Sequence, residues 1–339
     1  MRPRPALLRC VLIIICLTAP AAAWRASATD IQRLAFSVTL TDASPCTVVG
    51  YLYSEGALAG KPLQVAVHGA TYNHRYWDFP DVNGRSYSYA RYMAKLGFAV
   101  LAIDQVGAGE SCKPGFPNGP GYPVTLYDTA GALKQVVEAM RSGSNGSGQA
   151  FDRVVLVGHS AGSINVIYTQ AAWHVADAIV VTAARHLVAP LQPPPGLQDL
   201  VAALLPFPYF LVPPEIRSAL FHHLPSMDPD VVALDNATAD FWTNGQLITT
   251  FMAFLDPSID RVGDVTGPAL VQLGEFDGLF PAGSEAIEEA LWTGTNVKVR
   301  TLPNVGHDFN LSLDAERGWS RIAEWVRETL AESAVGQGS

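Results

Sequence analysis

The length, composition and charge of this chain already exclude several classes of protein. Its 339 residues are 49% hydrophobic and only 16% charged, so the chain can bury a large core and an intrinsically disordered protein is excluded. The formal net charge of −9 at pH 7 would repel phosphate backbones and anionic lipids. Neither a nucleic acid nor a membrane surface is therefore expected as a partner.

The first 23 residues have the three-part pattern of a secretory signal peptide. Three arginines within the first nine residues form a basic start, an apolar run covers residues 11–17, and small residues follow up to Ala23. The apolar run is shorter than the roughly 20 residues needed to span a bilayer, which argues against a membrane anchor. We expect cleavage after Ala23 and export of residues 24–339 as a secreted protein.

Two cysteines would remain after cleavage, Cys46 and Cys112. A single pair of cysteines in an exported chain predicts one disulfide, and two free thiols are the alternative. The chain contains no Cys-x-x-Cys pair and no Cys/His cluster, so no metal site is expected.

After the signal, β-rich segments alternate with helical segments. Alternating apolar residues predict an opening antiparallel pair of strands at 33–40 and 46–53. Continuous apolar runs, typical of strands buried on both faces, predict six more strands at 63–67, 98–103, 154–157, 179–181, 269–273 and 297–300. Apolar residues at three- and four-residue spacing predict helices at 88–96, 126–141, 163–173, 284–291 and 315–330. This alternation indicates an α/β fold, a three-layer sandwich around a mostly parallel sheet.

One region breaks the alternation of strands and helices. Between about residues 187 and 255 the sequence predicts no strand, and prolines separate short apolar helical pieces. The stretch is short and the sheet resumes after it. We therefore interpret it as a Pro-rich helical cap inserted over the C-terminal edge of the sheet, rather than as an independent domain.

The strongest chemical signal is the pentapeptide Gly-His-Ser-Ala-Gly at 158–162, which lies directly between a predicted strand and a predicted helix. This G-x-S-x-G pattern is typical of a nucleophile elbow, in which a strained turn projects the serine hydroxyl beside a helix N-terminus. Ser160 is therefore the predicted nucleophile. Because a lone serine is a weak nucleophile, it needs an adjacent base.

The base and its acid are expected in loops that follow the last two strands. His307 comes after the last strand and is the predicted general base, with a surface histidine as the alternative. Asp277 follows the strand at 269–273, where the turn can direct its carboxylate at His307 and hold the tautomer of the imidazole. Glu275 and Asp308 are the competing acids. The chain order Ser, Asp, His is the order that this arrangement requires.

A tetrahedral intermediate also needs two backbone N–H donors, which form an oxyanion hole. One is expected from Ala161, the residue after the nucleophile. The other is expected from the loop after the strand at 63–67, which reads His-Gly-Ala-Thr, with Ala70 as first candidate and Thr71 as second.

Five motifs in chain order make the sequence resemble the α/β-hydrolase superfamily. They are His68-Gly69, an Asp-x-x-Gly-x-Gly-x-Ser turn at 104–111, the elbow at 158–162, Gly-Glu-Phe-Asp at 274–277, and Gly306-His307. The resemblance covers nearly all of the chain after the signal. It implies an α/β-hydrolase sandwich with a Ser-Asp-His triad and no cofactor, but it does not specify a substrate. Epoxide hydrolases and haloalkane dehalogenases have aspartate where this chain has Ser160, and many bacterial lipases continue His-Gly with further glycines that this chain lacks.

The expected function is hydrolysis of a carboxylic ester through an acyl-enzyme, by a protein that is a monomer. Arg217 is the only lysine or arginine of the cap, which favours an uncharged, largely apolar ester. Aromatic residues near the oxyanion loop and in the cap indicate an apolar site, although the cap aromatics could instead fill the cap's own core. The candidate substrate contacts are Tyr72, Trp77, His159 and Phe210. A lactonase acting on a cyclic ester is the nearest alternative, and a non-catalytic binding protein with this fold is the alternative from another class.

Overall fold

The computed structural model describes residues 29–120, 124–280, 283 and 285–336, and the structural statements below concern these residues. The predicted signal peptide, residues 1–23, lies outside them. The strands are β1 Asp30–Thr39, β2 Pro45–Ser54, β3 Leu63–Val67, β4 Phe79–Val82, β5 Arg85–Tyr87, β6 Ala99–Ile103, β7 Val154–His159, β8 Ala178–Thr182, β9 Tyr209–Phe210, β10 Trp242–Thr243, β11 Ala269–Gly274 and β12 Lys298–Leu302. The α-helices are α1 Tyr89–Lys95, α2 Leu126–Ser142, α3 Ala161–Trp173, α4 Leu197–Leu204, α5 Pro214–Phe221, α6 Pro229–Ala237, α7 Asn244–Leu255, α8 Pro257–Asp260, α9 Glu285–Leu291 and α10 Ala315–Gly336.

Eight strands form the central sheet, in the order β1-β2-β6-β3-β7-β8-β11-β12. The pairs β1–β2 and β2–β6 are antiparallel, and all the other pairs are parallel. Strands β3, β6, β7 and β8 are buried along their whole length, because helices cover both faces of the sheet. One apolar core lies between the sheet and helices α2 and α3, and the other lies between the sheet and helices α1 and α10. The predicted three-layer α/β sandwich is confirmed.

Every predicted strand and helix is present, but two small β-pairs were not predicted. Strands β4 and β5 form a hairpin around Asn83-Gly84, both with positive φ, and this Asn-Gly pair was the signal that could have predicted it. Strands β9 and β10 pair within the region for which the sequence predicted no strand, so that expectation was wrong. Two-residue strands are too short to leave a periodic pattern in the sequence.

The predicted cap, residues 187–255, contains helices α4 to α7 and the β9–β10 pair. The segment stands between β8 and β11, two strands that are neighbours in the sheet. It is therefore an excursion from the sheet and not part of it. Its limits as a separate unit stay a prediction.

The predicted disulfide between Cys46 and Cys112 is present, with the two Cα atoms 5.6 Å apart. It ties strand β2 to the loop that follows β6. None of the helices in the described residues combines the length and the apolar character that crossing a membrane requires.

Candidate active site

Ser160 lies in a tight turn between β7 and α3. Its backbone angles of φ 52° and ψ −121° are those that a non-glycine residue adopts only when its surroundings enforce them. A Cβ atom at Gly158 would lie 2.5 Å from Ser163 Cα, and one at Gly162 would lie 2.3 Å from the carbonyl oxygen of His68. Both positions therefore require glycine, which is the physical reason for the G-x-S-x-G pattern.

The segments that carry the two predicted oxyanion donors lie close to Ser160. Ala161 is the first residue of α3, where backbone N–H groups have no partner within the helix. On the other side, a Cβ atom at Gly69 would lie 3.0 Å from Ser160 Cβ, so the loop carrying Ala70 passes directly over the elbow. Donation to an oxyanion by Ala70 and Ala161 stays a prediction.

Asp277 and His307 form a buried pair. His307 Nδ1 donates to Asp277 Oδ2 at 2.8 Å, which leaves Nε2 as the nitrogen that can accept a proton. The other oxygen of Asp277 accepts from the backbone N–H groups of Leu279 at 2.8 Å and Phe280 at 3.0 Å. Burial would lower the pKa of His307, but the charge and hydrogen bond of Asp277 outweigh burial and raise it.

The two competing acids have other partners. Glu275 is exposed, and its carboxylate accepts from the backbone N–H of Asn304 at 2.8 Å. Asp308 accepts a hydrogen bond from the hydroxyl of Tyr72. Of the three acids, it is therefore Asp277 that hydrogen-bonds His307.

Ser160, Ala161 and Ala70 line a cavity with about 740 Å³ of empty volume, part of it open to solvent. His307 is at its edge, because its ring packs against Phe221 and Phe280 of the cavity wall, with centroids 5.2 and 5.8 Å away. Among the described residues of the wall, none has a charged side chain and the only hydroxyls belong to Ser160 and Thr250. The cap supplies most of the apolar wall, through Leu197, Leu200, Val201, Leu204, Phe210, Val212, Leu220, Phe221, Trp242, Leu247, Phe251 and Phe254.

The model of the alpha/beta hydrolase family matches residues 64–319. The chain belongs to this family. Similar solved structures include a monoacylglycerol lipase from Paleococcus ferrophilus, with 16% identity and a TM-score of 0.57 over 87% of this chain and 98% of that chain. A thermophilic esterase from Thermogutta terrifontis has 18% identity and a TM-score of 0.56 over 88% and 99% of the two chains.

Another similar structure is Est1E from Butyrivibrio proteoclasticus, solved with ferulic acid bound. It has 18% identity and a TM-score of 0.54 over 87% of this chain and 99% of that chain. At such identities the likeness shows the fold alone. No curated protein sequence matches the chain.

In this α/β hydrolase one of the four candidate substrate contacts, Phe210, lies in the wall of the cavity. Tyr72, Trp77 and His159 are buried and are not part of that wall. Trp77 packs edge-on against Tyr76, and the ring of His159 stacks on Tyr76 at 4.2 Å. Direct contact with a substrate stays a prediction for these three side chains, whose observed contacts all lie within the protein.

A buried charged cluster joins the cap of the hydrolase to the loops of the site. Arg217 in α5 is 0% exposed and donates from Nη2 to Asp235 Oδ2 at 2.7 Å. His222 Nε2 donates to the same oxygen at 2.9 Å. Burial would lower the pKa of Arg217, but the negative charges of Asp235 and Asp308 help to raise it, so the guanidinium stays charged. In the sequence Arg217 stands out only as the single lysine or arginine of the cap, and its carboxylate partner follows from its burial, since a buried cation needs one.

Asp308 connects this cluster to the residue before the elbow serine. Its Oδ1 atom lies 3.3 Å from His159 Nε2, but the alignment is poor and neither atom has a hydrogen bond. Burial would raise the pKa of Asp308, but the nearby histidines His159 and His222 lower it to about 2, so Asp308 stays ionised. Burial lowers the pKa of His159 to about 4, so its ring is neutral at neutral pH.

Among the residues that the structure describes, two groups of three side chains have possible metal-binding atoms within 4.8 Å of one another. One group is His159, His307 and Asp308, and the other is His222, Asp235 and Asp308. In the second group Arg217 already supplies a cation to Asp235. In the first group His307 is hydrogen-bonded to Asp277 through Nδ1. The expected absence of a metal and of a cofactor stays a prediction.

Proposed function

We propose that this α/β hydrolase cleaves an uncharged, largely apolar carboxylic ester through an acyl-enzyme. Ser160 is the nucleophile, His307 the general base, and Asp277 the acid that orients the base. The observation that carries the proposal is the buried Asp277–His307 pair at the edge of an uncharged cavity that contains Ser160. Membership of the family, and an esterase and a lipase among similar structures, support hydrolysis as the reaction.

The reaction has two halves, formation of the acyl-enzyme and its hydrolysis, and each half has two proton transfers. His307 Nε2 takes the proton of the Ser160 hydroxyl as its oxygen attacks the ester carbonyl. The backbone N–H groups of Ala161 and Ala70 stabilise the negative charge that develops on the carbonyl oxygen. His307 then protonates the leaving alcohol, and water attacks the acyl-enzyme by the same route, which releases the acid and restores Ser160.

The wall of the cavity supports an uncharged substrate. A charged group would lose its hydration there and would find no opposite charge among the described wall residues. We therefore propose soluble esters with apolar acyl groups, and we include apolar lactones because the same residues could open a cyclic ester.

We also propose that the protein acts outside the cell, after removal of residues 1–23. The basic start and apolar run of this segment support export. The Cys46–Cys112 disulfide supports it as well, since disulfides persist mainly in oxidising compartments.

The proposal is tested with Ser160→Ala, and Ser320→Ala on α10 is the matched control. Wild type should react rapidly with a fluorophosphonate and hydrolyse nitrophenyl esters, whereas Ser160→Ala should lose labelling and at least about 10⁴-fold in kcat. Specificity is measured as kcat/KM across nitrophenyl esters of rising acyl length, apolar lactones and one carboxylated ester. Near-wild-type activity of Ser160→Ala would refute the site, and a preference for the carboxylated ester would refute the substrate class.

A further inference from the structure

Thr71 is the point at which the oxyanion loop meets the cap. It directly follows Ala70, is 1% exposed and has a φ of +62°, which is an unfavourable conformation for a β-branched residue. Its backbone carbonyl accepts a hydrogen bond from the N–H of Asp240 at 2.8 Å, and its hydroxyl accepts one from Arg217 Nη1. A strained conformation of this kind persists only where surrounding contacts hold it, and both of these contacts come from the cap.

Arg217 is itself held in one orientation. Nη2 donates to Asp235 at 2.7 Å, Nε donates to Asn236 Oδ1 at 3.3 Å, and the guanidinium lies 4.6 Å from the centre of the Tyr72 ring. These partners bind two nitrogens of the planar guanidinium and cover one of its faces, so the third nitrogen, Nη1, has a fixed position at Thr71. A lysine would keep the charge but could not make these contacts together.

We propose that Arg217 is a positioning residue for the reaction: acting from the cap through Thr71, it fixes the backbone N–H groups of residues 70 and 71 where the oxyanion forms. Arg217 does not line the cavity, so it acts through the loop and not on the substrate. The cap then belongs to the catalytic apparatus as well as to the wall of the cavity. This inference rests on the proposed function, because it assumes that an oxyanion forms at Ser160.

The decisive substitutions are Thr71→Val, which removes the hydroxyl and keeps the shape, and Thr71→Ser, which keeps the hydroxyl. Misplacement of a catalytic group by about 1 Å can lower the rate about 100-fold. We expect Thr71→Val and Arg217→Lys each to lower kcat by at least about tenfold with KM within about threefold. Thr71→Ser should stay within about threefold of wild type. The double variant Arg217→Lys/Thr71→Val should be no worse than the poorer single variant, since both remove one contact.

A trifluoromethyl ketone gives a second readout that a merely structural role would not change. It forms a tetrahedral oxyanion with the serine, so Thr71→Val and Arg217→Lys should weaken its inhibition about as much as they lower kcat. The matched control is Thr238→Val, the same chemical change in the cap, where the hydroxyl donates to the Leu234 carbonyl at 2.8 Å. This control should keep wild-type kcat and inhibition.

The outcomes separate this inference from the proposed function. If Ser160→Ala stays active, or if wild type does not bind the ketone, the proposed function fails and the inference fails with it. If both behave as proposed but Thr71→Val and Arg217→Lys keep wild-type kcat and inhibition, only the inference is overturned. A loss confined to KM would also overturn it, since Arg217 would then serve substrate binding. Thermal melting identifies a variant that does not fold, and should Arg217→Lys be one, the Thr71→Val and Thr71→Ser pair decides.

Discussion

Replacing Asp277 with asparagine tests the orientation of the proposed base. The Oδ1 atom of Asp277 accepts from the N–H groups of Leu279 and Phe280, and Oδ2 faces His307 Nδ1 at 2.8 Å. In Asp277→Asn the two backbone donors require an oxygen at the Oδ1 position, so the amide nitrogen must face His307. A donor there favours the imidazole tautomer with its proton on Nε2, and that nitrogen can then no longer take the proton of Ser160.

The expected loss is about 10⁴-fold in kcat, the size of the effect when a triad histidine is left in the wrong tautomer. It corresponds to about 5 kcal/mol of activation free energy. KM should change little, because Asp277 is not part of the cavity wall.

The pH dependence has a definite direction. Asp277 raises the pKa of His307 above its ordinary value of 6.5, against the effect of burial. Since the base must be neutral to accept a proton, wild-type activity should rise as the pH increases through this raised pKa. Without the carboxylate the effect of burial is unopposed, so the residual activity of Asp277→Asn should reach its plateau at lower pH.

The assay is hydrolysis of a nitrophenyl ester from about pH 5 to pH 9. Glu275→Gln is the control, because Glu275 is an exposed acid two positions away whose carboxylate bonds a backbone N–H. It should stay within about twofold of wild type. The assignment is refuted if Asp277→Asn keeps more than about a tenth of the activity, or if Glu275→Gln loses as much.

Two further predictions concern the stability of the fold. Replacing Cys46 and Cys112 with alanine should lower the free energy of unfolding by about 2–4 kcal/mol, because the disulfide joins residues 66 positions apart; equal urea midpoints for the variant and the oxidised wild type would contradict this. Burial would lower the pKa of His186, but Asp260 at 2.9 Å and Glu288 at 3.1 Å raise it well above its ordinary value. The stabilisation by charged His186 is therefore complete below the unfolded pKa and is lost as the pH rises through the folded pKa. His186→Leu should cost about 3–5 kcal/mol near pH 6 and less at high pH in urea unfolding, and a pH-independent loss would disprove this account.

The sequence predicted the sheet and the approximate position of the site because both depend on local patterns. A strand buried on both faces needs a continuous apolar run, and β3 and β7 have such runs and are fully buried. The carboxyl ends of parallel strands meet at one edge of a sheet, so residues after β7, β11 and β12 could be expected to meet. The 2.8 Å contact between Asp277 and His307 has this origin, although 30 positions separate the two residues in the chain.

The contacts of the cap could not be predicted in the same way. Arg217 and Thr71 are 146 positions apart, and neither lies in a motif that points to the other. Helices α4 and α5 have only eight residues each, so their docking depends on long-range packing and not on their own periodicity. For the same reason the sequence did not reveal that the hydroxyl of Tyr72 hydrogen-bonds the carboxylate of Asp308.

The charged cluster lies beside the apolar cavity, because Arg217 packs against Phe221 of the cavity wall. None of the described residues in the cavity wall is charged. Three charged residues nearby, Arg217, Asp235 and Asp308, are each at most 1% exposed. Such charges are stable under the apolar cap only because they pair with one another, and in a medium of low polarity the loss of one partner strongly destabilises the other. The charged side chain of Arg217 can therefore hold the cap against Thr71 and Tyr72. A substrate in the cavity contacts no charged residue of the described wall. An acidic substitution at Arg217 would remove the cation and place three buried carboxylates together, so we expect it to destabilise the contact between the cap and the loop at Thr71 and Tyr72.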